Sequence, residues 1–305
     1  MKPKNAFLLF MAAFIWGIAF VAQSSAAAYI RPFTFNGIRC LIGGLTLLPL
    51  VFIMQFQKYK TLPLGESFDK NRLFSPEDLK NGLTGGLCCG ICLCLGSTLQ
   101  QFGIEQTTVG KAGFITALYI VFVPIVSALF FRKKIALPVA LSVILGLAGL
   151  FLLCMSEQFS IGKGDFYVLL CSFAFTAHIL VIDHFSAKAD GVLLSCIQFL
   201  TCGIISLPFI FFMEKPQWNQ IFSAKIPILY AGILSCGVAY TLQIVGQKNM
   251  DPTVASLILS LESVFSVLAG WVILHQTLSV RELFGCVLMF LAIILAQLPE
   301  KGNSL

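Results

Sequence analysis

The sequence predicts an all-α integral membrane protein in which ten transmembrane helices form two inverted five-helix repeats. Three observations lead to this prediction: the composition, the succession of apolar segments and an internal repeat. Of the 305 residues, 58% are hydrophobic and only 11% are charged, with a mean hydropathy of +0.91. Soluble domains carry roughly 25% charged residues. The chain is therefore expected to lie in a lipid bilayer, as a multi-pass protein of the cell membrane.

Ten apolar segments follow one another along the chain and are joined mostly by short loops. Their approximate bounds are 5–25, 33–55, 79–102, 108–131, 136–155, 164–184, 190–213, 225–246, 252–274 and 280–298. At about 20 residues for each membrane helix, they account for about 200 residues and leave no room for a separate soluble domain. Helix-start signals precede span three, at Ser75-Pro76, and span nine, at Asp251-Pro252.

The eleven cysteines are odd in number, and most lie within apolar runs such as CCGICLC at 88–94. A disulfide framework or a metal site would place cysteines in polar loops. We therefore expect them to serve in helix packing, and the sequence predicts no metal and no cofactor.

The distribution of lysine and arginine predicts that both termini are cytoplasmic. With the N-terminus inside, the inner segments hold thirteen of the twenty basic residues, the outer segments hold six, and Arg39 lies within span two. Cytoplasmic loops carry such an excess. The net charge of +6 is thus mostly a topology signal, and no nucleic-acid partner is predicted.

The second half of the chain repeats the first. The segment 99–131 aligns with 242–274 without a gap, at an offset of 143 positions. It pairs Gln100 with Gln243 and Tyr119 with Glu262. Upstream, LLPLVF at 47–52 resembles SLPFIF at 206–211, at an offset of 159.

Because five spans are an odd number, the repeated units must have opposite orientations in the membrane. The first unit is predicted at 1–155 and the second at 156–305. The basic cluster at 132–134 has lost its charge in the second copy, at 275–277, as opposite orientations require. Inverted repeats are typical of secondary transporters, which bind substrate near the membrane midplane.

These features resemble a known family, the ten-span drug/metabolite transporter superfamily with two EamA-type repeats. The residues that carry the resemblance are Trp16, Gly17, Pro32, Arg39, GKAGFITALYIVFVPIVSALFF at 110–131 and SLESVFSVLAGWVIL at 260–274. The resemblance implies a basket of helices around a cavity, alternating access, and small organic substrates such as amino acids, commonly exported. Family members often carry an acidic residue where this chain has Gln276.

Glu262 is the first candidate site residue. A charge at a helix centre costs about 2.5–3.5 kcal/mol, and the residue lies roughly 14 Å deep. It sits at the edge of a small-polar face that includes Ser266. Glu262 either contacts substrate or protons in the cavity, or serves only as a hydrogen-bonded packing residue.

Four further candidates carry both a functional and a structural interpretation. Arg39, roughly 9 Å deep, could bind substrate, pair with Glu262 or reach to the outer interface. Tyr119 and Trp16 are either cavity residues or packing residues. His178 is either a proton acceptor or a satisfied packing residue.

Pro124 is expected to kink span four, without a counterpart in span nine because its repeat partner is Val267.

The function predicted from these observations is secondary transport of small, amino-acid-like metabolites, with export favoured and proton coupling left open. A channel or a non-transporting scaffold is the alternative. A membrane enzyme is less favoured because the three histidines, at 178, 184 and 275, do not cluster. The expected partners are the substrate, the lipid bilayer and potentially protons, and the oligomeric state is undetermined.

Overall fold

The computed structural model describes residues 3–60, 76–107, 109–132, 135–154, 162–274 and 279–296, and these residues form helices and short connections. The α-helices are α1 (Pro3–Ala27), α2 (Pro32–Lys60), α3 (Pro76–Ile104), α4 (Val109–Thr116), α5 (Tyr119–Phe131), α6 (Leu137–Cys154), α7 (Lys163–Phe185), α8 (Gly191–Phe209), α9 (Trp218–Ser223), α10 (Lys225–Leu229), α11 (Thr241–Gln247), α12 (Pro252–Leu259), α13 (Leu261–Leu274) and α14 (Val280–Ala296). Two π-helical segments, Ile210–Glu214 and Tyr230–Tyr240, extend α8 and join α10 to α11.

Among the residues that the structure describes, eight helical stretches are long and apolar enough to cross a membrane. They are Pro3–Ala27, Pro32–Met54, Glu77–Ile104, Ala112–Phe131, Lys163–Phe185, Gly191–Glu214, Lys225–Gln247 and Pro252–Ile273. The apolar helix Leu137–Leu153 is shorter. The expected all-helical, multi-pass membrane class is therefore confirmed. The predicted number of ten crossings stays a prediction, with α6 and α14 at the fifth and tenth predicted segments.

The start of α12 follows from its sequence. The carboxylate of Asp251 accepts hydrogen bonds from the backbone N–H groups of Thr253, at 2.8 Å, and Val254, at 3.3 Å. Pro252 occupies the first helical turn, where its missing N–H costs nothing. The predicted cap residue Ser75 of α3 lies outside the described residues, as do 133–134 and 275–277.

Helices α2 and α8 pack closely through reciprocal glycine contacts. A β-carbon added at Gly44 would lie 2.8 Å from Cδ2 of Leu200, and one added at Gly203 would lie 2.7 Å from Cδ2 of Leu41. From the first of these contacts to the second, residue numbers fall along α2 and rise along α8, so the two helices run antiparallel.

The N-terminus of α2 is held by the carboxylate of Glu214, which ends the first π-helical segment. Oε1 of Glu214 accepts the backbone N–H of Phe33 at 2.9 Å. Oε2 accepts both the N–H and the hydroxyl of Thr34, each at 2.6 Å. The Phe33 ring also stacks on Phe209 with a centroid distance of 4.4 Å. One carboxylate thus satisfies free donors at the start of a helix, where a negative charge is also favoured.

Two membrane-spanning stretches are interrupted near their middle. One break separates α4 from α5 at 117–118, and the other separates α12 from α13 at Ser260. At the first, the N–H of Ile120 bonds to the carbonyl of Ala117 at 3.0 Å; at the second, the N–H of Ser263 bonds to the carbonyl of Ser260 at 3.1 Å. Each is a tight bond over three residues, in place of the usual four.

The kink expected at Pro124 stays a prediction. Helix α5 runs through Pro124, and the interruption of this stretch lies before Tyr119. Proline removes only one backbone donor, and the helix continues on both sides of it. The second interruption, at Ser260, also shows that the feature is not confined to the first half of the chain.

Candidate functional site

A cavity with an empty volume of about 500 Å³ lies between the interrupted stretches and the helices around them. Its lining residues are Trp16, Phe20, Gln23, Arg39, Gln100, Tyr119, Phe175, His178, Ile179, Ser235, Tyr240, Gln243, Leu259 and Glu262. Ligand pockets combine apolar walls with a few polar groups. Five of the six residues predicted from the sequence lie in this wall.

Tyr119 and Glu262 meet in the cavity wall. The Tyr119 hydroxyl donates a hydrogen bond of 3.1 Å to Oε1 of Glu262, and both side chains are buried. Tyr119 begins α5, and Glu262 lies in the first turn of α13. The helix dipole favours an acidic side chain at that position. The break at Ser260 therefore gives Glu262 a helix N-terminus in the middle of a membrane-spanning stretch.

Arg39 lines the same cavity and is only 3% exposed. Its guanidinium carbon lies 5.0 Å from the ring centroid of Phe35. Within the described ranges no carboxylate forms an ion pair with it, and its Nε has no hydrogen-bond partner. The pairing with Glu262 considered from the sequence is not formed, and the buried side chain does not reach an outer interface.

Trp16 contributes an aromatic wall to the cavity. Its ring centroid lies 4.5 Å from that of Tyr240, with the planes tilted by 60°. The indole N–H is buried and has no acceptor among the described residues. Trp16 thus offers a flat apolar surface together with an unused hydrogen-bond donor.

His178 is fixed by Gln198. Its Nε2 lies 2.9 Å from Oε1 of Gln198. With the amide oxygen of Gln198 as the acceptor, the proton is on Nε2 and Nδ1 is left as an acceptor. The ring stands edge-on to Tyr240, with centroids 5.8 Å apart.

Ser266 is placed away from the cavity wall. Its side chain is buried, and its hydroxyl donates to the backbone oxygen of Ser263 at 2.9 Å. The backbone of Ser266 packs closely against Gly17 of α1. A substrate-binding role for Ser266 stays a prediction, and in this structure the residue serves a helix contact.

Three glutamines in the wall were not singled out from the sequence. Gln100 donates to the Thr116 hydroxyl at 3.2 Å. The side-chain oxygens of Gln23 and Gln243 are buried without a partner among the described residues. Gln100 and Gln243 are partners in the internal repeat, so repeat symmetry applied to polar residues could have found them.

The arrangement suits recognition of a small organic molecule. One unpaired cation, one carboxyl group, several amides and aromatic rings surround a single space. In the part of the chain that the structure describes, no group of three or more His, Cys, Asp or Glu residues is placed to hold a metal ion.

Comparison with known proteins assigns the chain to a family. The model of the EamA-like transporter family matches residues 4–155 and 162–298. The chain belongs to the EamA-like transporter family. The match covers both halves of the chain, and the resemblance to EamA-type drug/metabolite transporters is confirmed.

Similar proteins carry transporter names. An uncharacterized transporter of Archaeoglobus fulgidus is 30% identical over 95% of this chain and 84% of its own length. The uncharacterized transporter YoaV of Bacillus subtilis is 22% identical over 90% of each chain. A chloroplastic WAT1-related protein of Arabidopsis thaliana is 25% identical over 95% of this chain and 68% of its own.

A solved crystal structure has the same fold. It matches with a TM-score of 0.74 at 17% identity and covers 97% of both chains. Family membership, the relatives and the apolar helices together identify this EamA-like protein as a membrane transporter.

Proposed function

We propose that this EamA-like protein is a secondary transporter that moves a small, amino-acid-like metabolite by alternating access through the cavity at Tyr119 and Glu262. The observation that carries the proposal is the placement of this bonded pair at two helix breaks in the wall of one cavity. Transporters of several folds build substrate and ion sites from such discontinuous helices.

We further propose ten membrane helices in two inverted repeats, at 1–155 and 156–305. The contacts of α2 with α8 support this arrangement. Shifting Leu41 and Gly44 by the repeat offset of 159 gives Leu200 and Gly203, so each half supplies the same two residues. Equivalent helices that run antiparallel across a shared contact are what opposite orientations produce.

Aromatic contacts support the same symmetry. Phe14 packs on Phe265 with centroids 5.2 Å apart, and Phe173 packs on Phe122 at 4.3 Å. Offsets of 159 and 143 convert the first pair into the second. The helix breaks also correspond, since Ala117 and Ser260 are 143 positions apart. A two-fold related pair of interrupted helices gives each half a hinge beside the cavity.

The excess of basic residues in alternate loops supports cytoplasmic termini and a place in the cell membrane. For the direction of flux we propose export, on the family resemblance. Accessibility labelling of the termini tests the orientation, and efflux from loaded cells tests the direction of flux.

Glu262 is the proposed site of proton coupling, with simple substrate exchange as the alternative. Titratable or charged side chains that share its surroundings are Tyr119, Tyr240, His178, Arg39 and Cys171. In a membrane interior, the charged form of a carboxyl group is much more costly than the protonated form. Transporters use proton binding and release at such groups to couple flux to a gradient.

Counterflow in proteoliposomes tests the proposal. Vesicles loaded with an unlabelled mixture of amino acids should accumulate labelled external substrate transiently and saturably. Flux that rises linearly with concentration would indicate a channel, and absence of flux with every metabolite class would favour a scaffold.

Glu262→Gln, compared at pH 6 and pH 8, tests the coupling. It should keep exchange but lose its pH dependence, whereas Glu77→Gln, at an exposed position at the start of α3, should behave as wild type. Unchanged flux and pH dependence in Glu262→Gln would exclude the coupling role and leave the packing role.

A further inference from the structure

We infer that Arg39 and Glu262 orient the substrate: Arg39 binds a carboxylate at one end, and Glu262 accepts hydrogen bonds from an amino group at the other. The inference rests on the proposed transport function and goes beyond it, because it assigns each end of the substrate to a residue.

The first argument is the missing counter-ion of Arg39. A guanidinium keeps its charge in proteins, and buried charges are normally paired. Only 3% of the Arg39 side chain surface is exposed, yet the residue has no ion pair within the described residues, and its Nε lacks an acceptor. The side chains that interact electrostatically with it include Cys40, Cys236 and Tyr240, which are thiol and phenol groups and not carboxylates. An anionic ligand group would supply the pairing that the protein does not.

The second argument is the position of the carboxyl group. Glu262 lines the same cavity, but its structural partner is the hydroxyl of Tyr119, and no ion pair joins it to Arg39. Two groups that can carry opposite charges thus line one space without an ion pair between them. A zwitterion placed between them, with its carboxylate at Arg39, satisfies both, whereas the reverse orientation brings like charges together.

The third argument concerns the rest of the cavity wall. The Trp16 indole N–H is a buried donor without a partner, on the side of the cavity formed by Trp16 and Tyr240. It can add a hydrogen bond to an anionic group. The rings of Phe20 and Phe175 add apolar surface to a wall that also holds the side-chain amides of Gln23, Gln100 and Gln243. The site therefore fits an amino acid whose side chain combines apolar surface with hydrogen-bonding groups.

A cycle of variants and matched probes tests the inference. The purified full-length protein is titrated with probes that share one side chain: an amino acid, its amide without the carboxylate, and its acid without the amino group. Sets with aliphatic, aromatic and hydroxylated side chains are used. Apparent affinities come from the shift of the thermal midpoint with probe concentration.

In the wild type, the amino acid should bind best in at least one set, and loss of the carboxylate should weaken binding about ten- to hundredfold. Arg39→Gln should weaken the amino acid by a similar factor and should no longer distinguish it from the amide. Glu262→Gln should lose only the preference for the amino group. Arg39→Lys, which keeps the charge but not the planar fork, should fall between.

Arg31→Gln is the matched control, since this arginine is exposed and lies outside the cavity wall. It should bind every probe as the wild type does. Without probe, Arg39→Gln should melt at or above the wild-type midpoint, because an unpaired buried charge has been removed. A lower midpoint together with unchanged probe preference would assign Arg39 a structural role and overturn the inference.

Three other results would overturn it as well. The amides could bind as tightly as the amino acids or more tightly, or chloride at the same ionic strength could shift the thermal midpoint as much as the amino acid does. The third is that no probe with a carboxylate binds. Flux measurements separate this failure from failure of the proposed function. If Arg39→Gln transports as the wild type does, the proposed transport function stands and the proposed orientation is rejected. If the protein binds carboxylates selectively but transports nothing, the orientation stands and the transport function is rejected.

Discussion

Tyr119 donates a hydrogen bond to Glu262 across 143 positions of sequence, the same spacing that separates the two copies of the internal repeat. In the proposed inverted-repeat arrangement, residues at equivalent positions can touch only near the axis that relates the two halves. The bond would then mark the place where the halves meet, and it lies in the cavity wall. A change at either residue would then affect both halves.

Removal of the Tyr119 hydroxyl tests the energetic coupling of this pair. Tyr119→Phe should lower the free energy of unfolding by about 1–3 kcal/mol, because it leaves a buried carboxyl oxygen without its donor. Thermal melting of Tyr119→Phe, Glu262→Gln and the double variant measures the coupling. Strict additivity of the two single effects would contradict a direct interaction. Tyr167→Phe, a tyrosine outside the cavity wall, controls for the loss of a hydroxyl.

The class, the helix succession and much of the cavity wall could be predicted from sequence, because each rests on local or repeated patterns. The cost of a charge in lipid singles out Glu262 and Arg39 wherever they point. Repeat alignment then leads from Glu262 to Tyr119. These inferences need no knowledge of how distant helices pack.

Contacts between distant helices could not be predicted in this way. The choice of Tyr119 over Arg39 as the partner of Glu262 depends on helix positions that no local pattern records. The break before Tyr119 carries no proline, so the sequence favoured Pro124. Ser266 shares a helix face with Glu262, but Gly17 allows α1 to approach so closely that Ser266 is buried in a helix contact.

The close approach of α1 to α13 predicts that Gly17 cannot be replaced. A β-carbon at Gly17 would lie 2.3 Å from Cβ of Phe265 and 2.8 Å from the backbone nitrogen of Ser266. Gly17→Ala should therefore destabilise the protein by about 1–3 kcal/mol or more, through overpacking. Gly113→Ala is the matched control, because its β-carbon would meet Ser263 Oγ at 3.6 Å. Thermal melting should rank the second variant near or above the wild type.

The carboxylate of Glu214 should be a stability determinant at the start of α2. Glu214→Ala removes three hydrogen bonds, to the N–H of Phe33 and to the N–H and hydroxyl of Thr34. We expect a loss of about 1–3 kcal/mol, since charge-assisted bonds to a helix start are lost together. Thr34→Val removes one of the three and should cost less. Glu77→Ala, in the exposed first turn of α3, should change stability by only about 0.3–1 kcal/mol.

Occupancy of the cavity should be readable from Trp16. The chain has three tryptophans, and Trp218 and Trp271 are 79% and 51% exposed, whereas Trp16 lines the cavity against Tyr240. A bound molecule that excludes water from this wall should shift the emission of Trp16 to shorter wavelength and saturate with ligand concentration. Trp16→Phe should abolish the shift while Trp218→Phe and Trp271→Phe retain it. A ligand-dependent shift that persists in Trp16→Phe would place the ligand elsewhere. Because the reporter lines the same cavity as the proposed carboxylate site, the same titration in Arg39→Gln should saturate only at about ten- to hundredfold higher concentration.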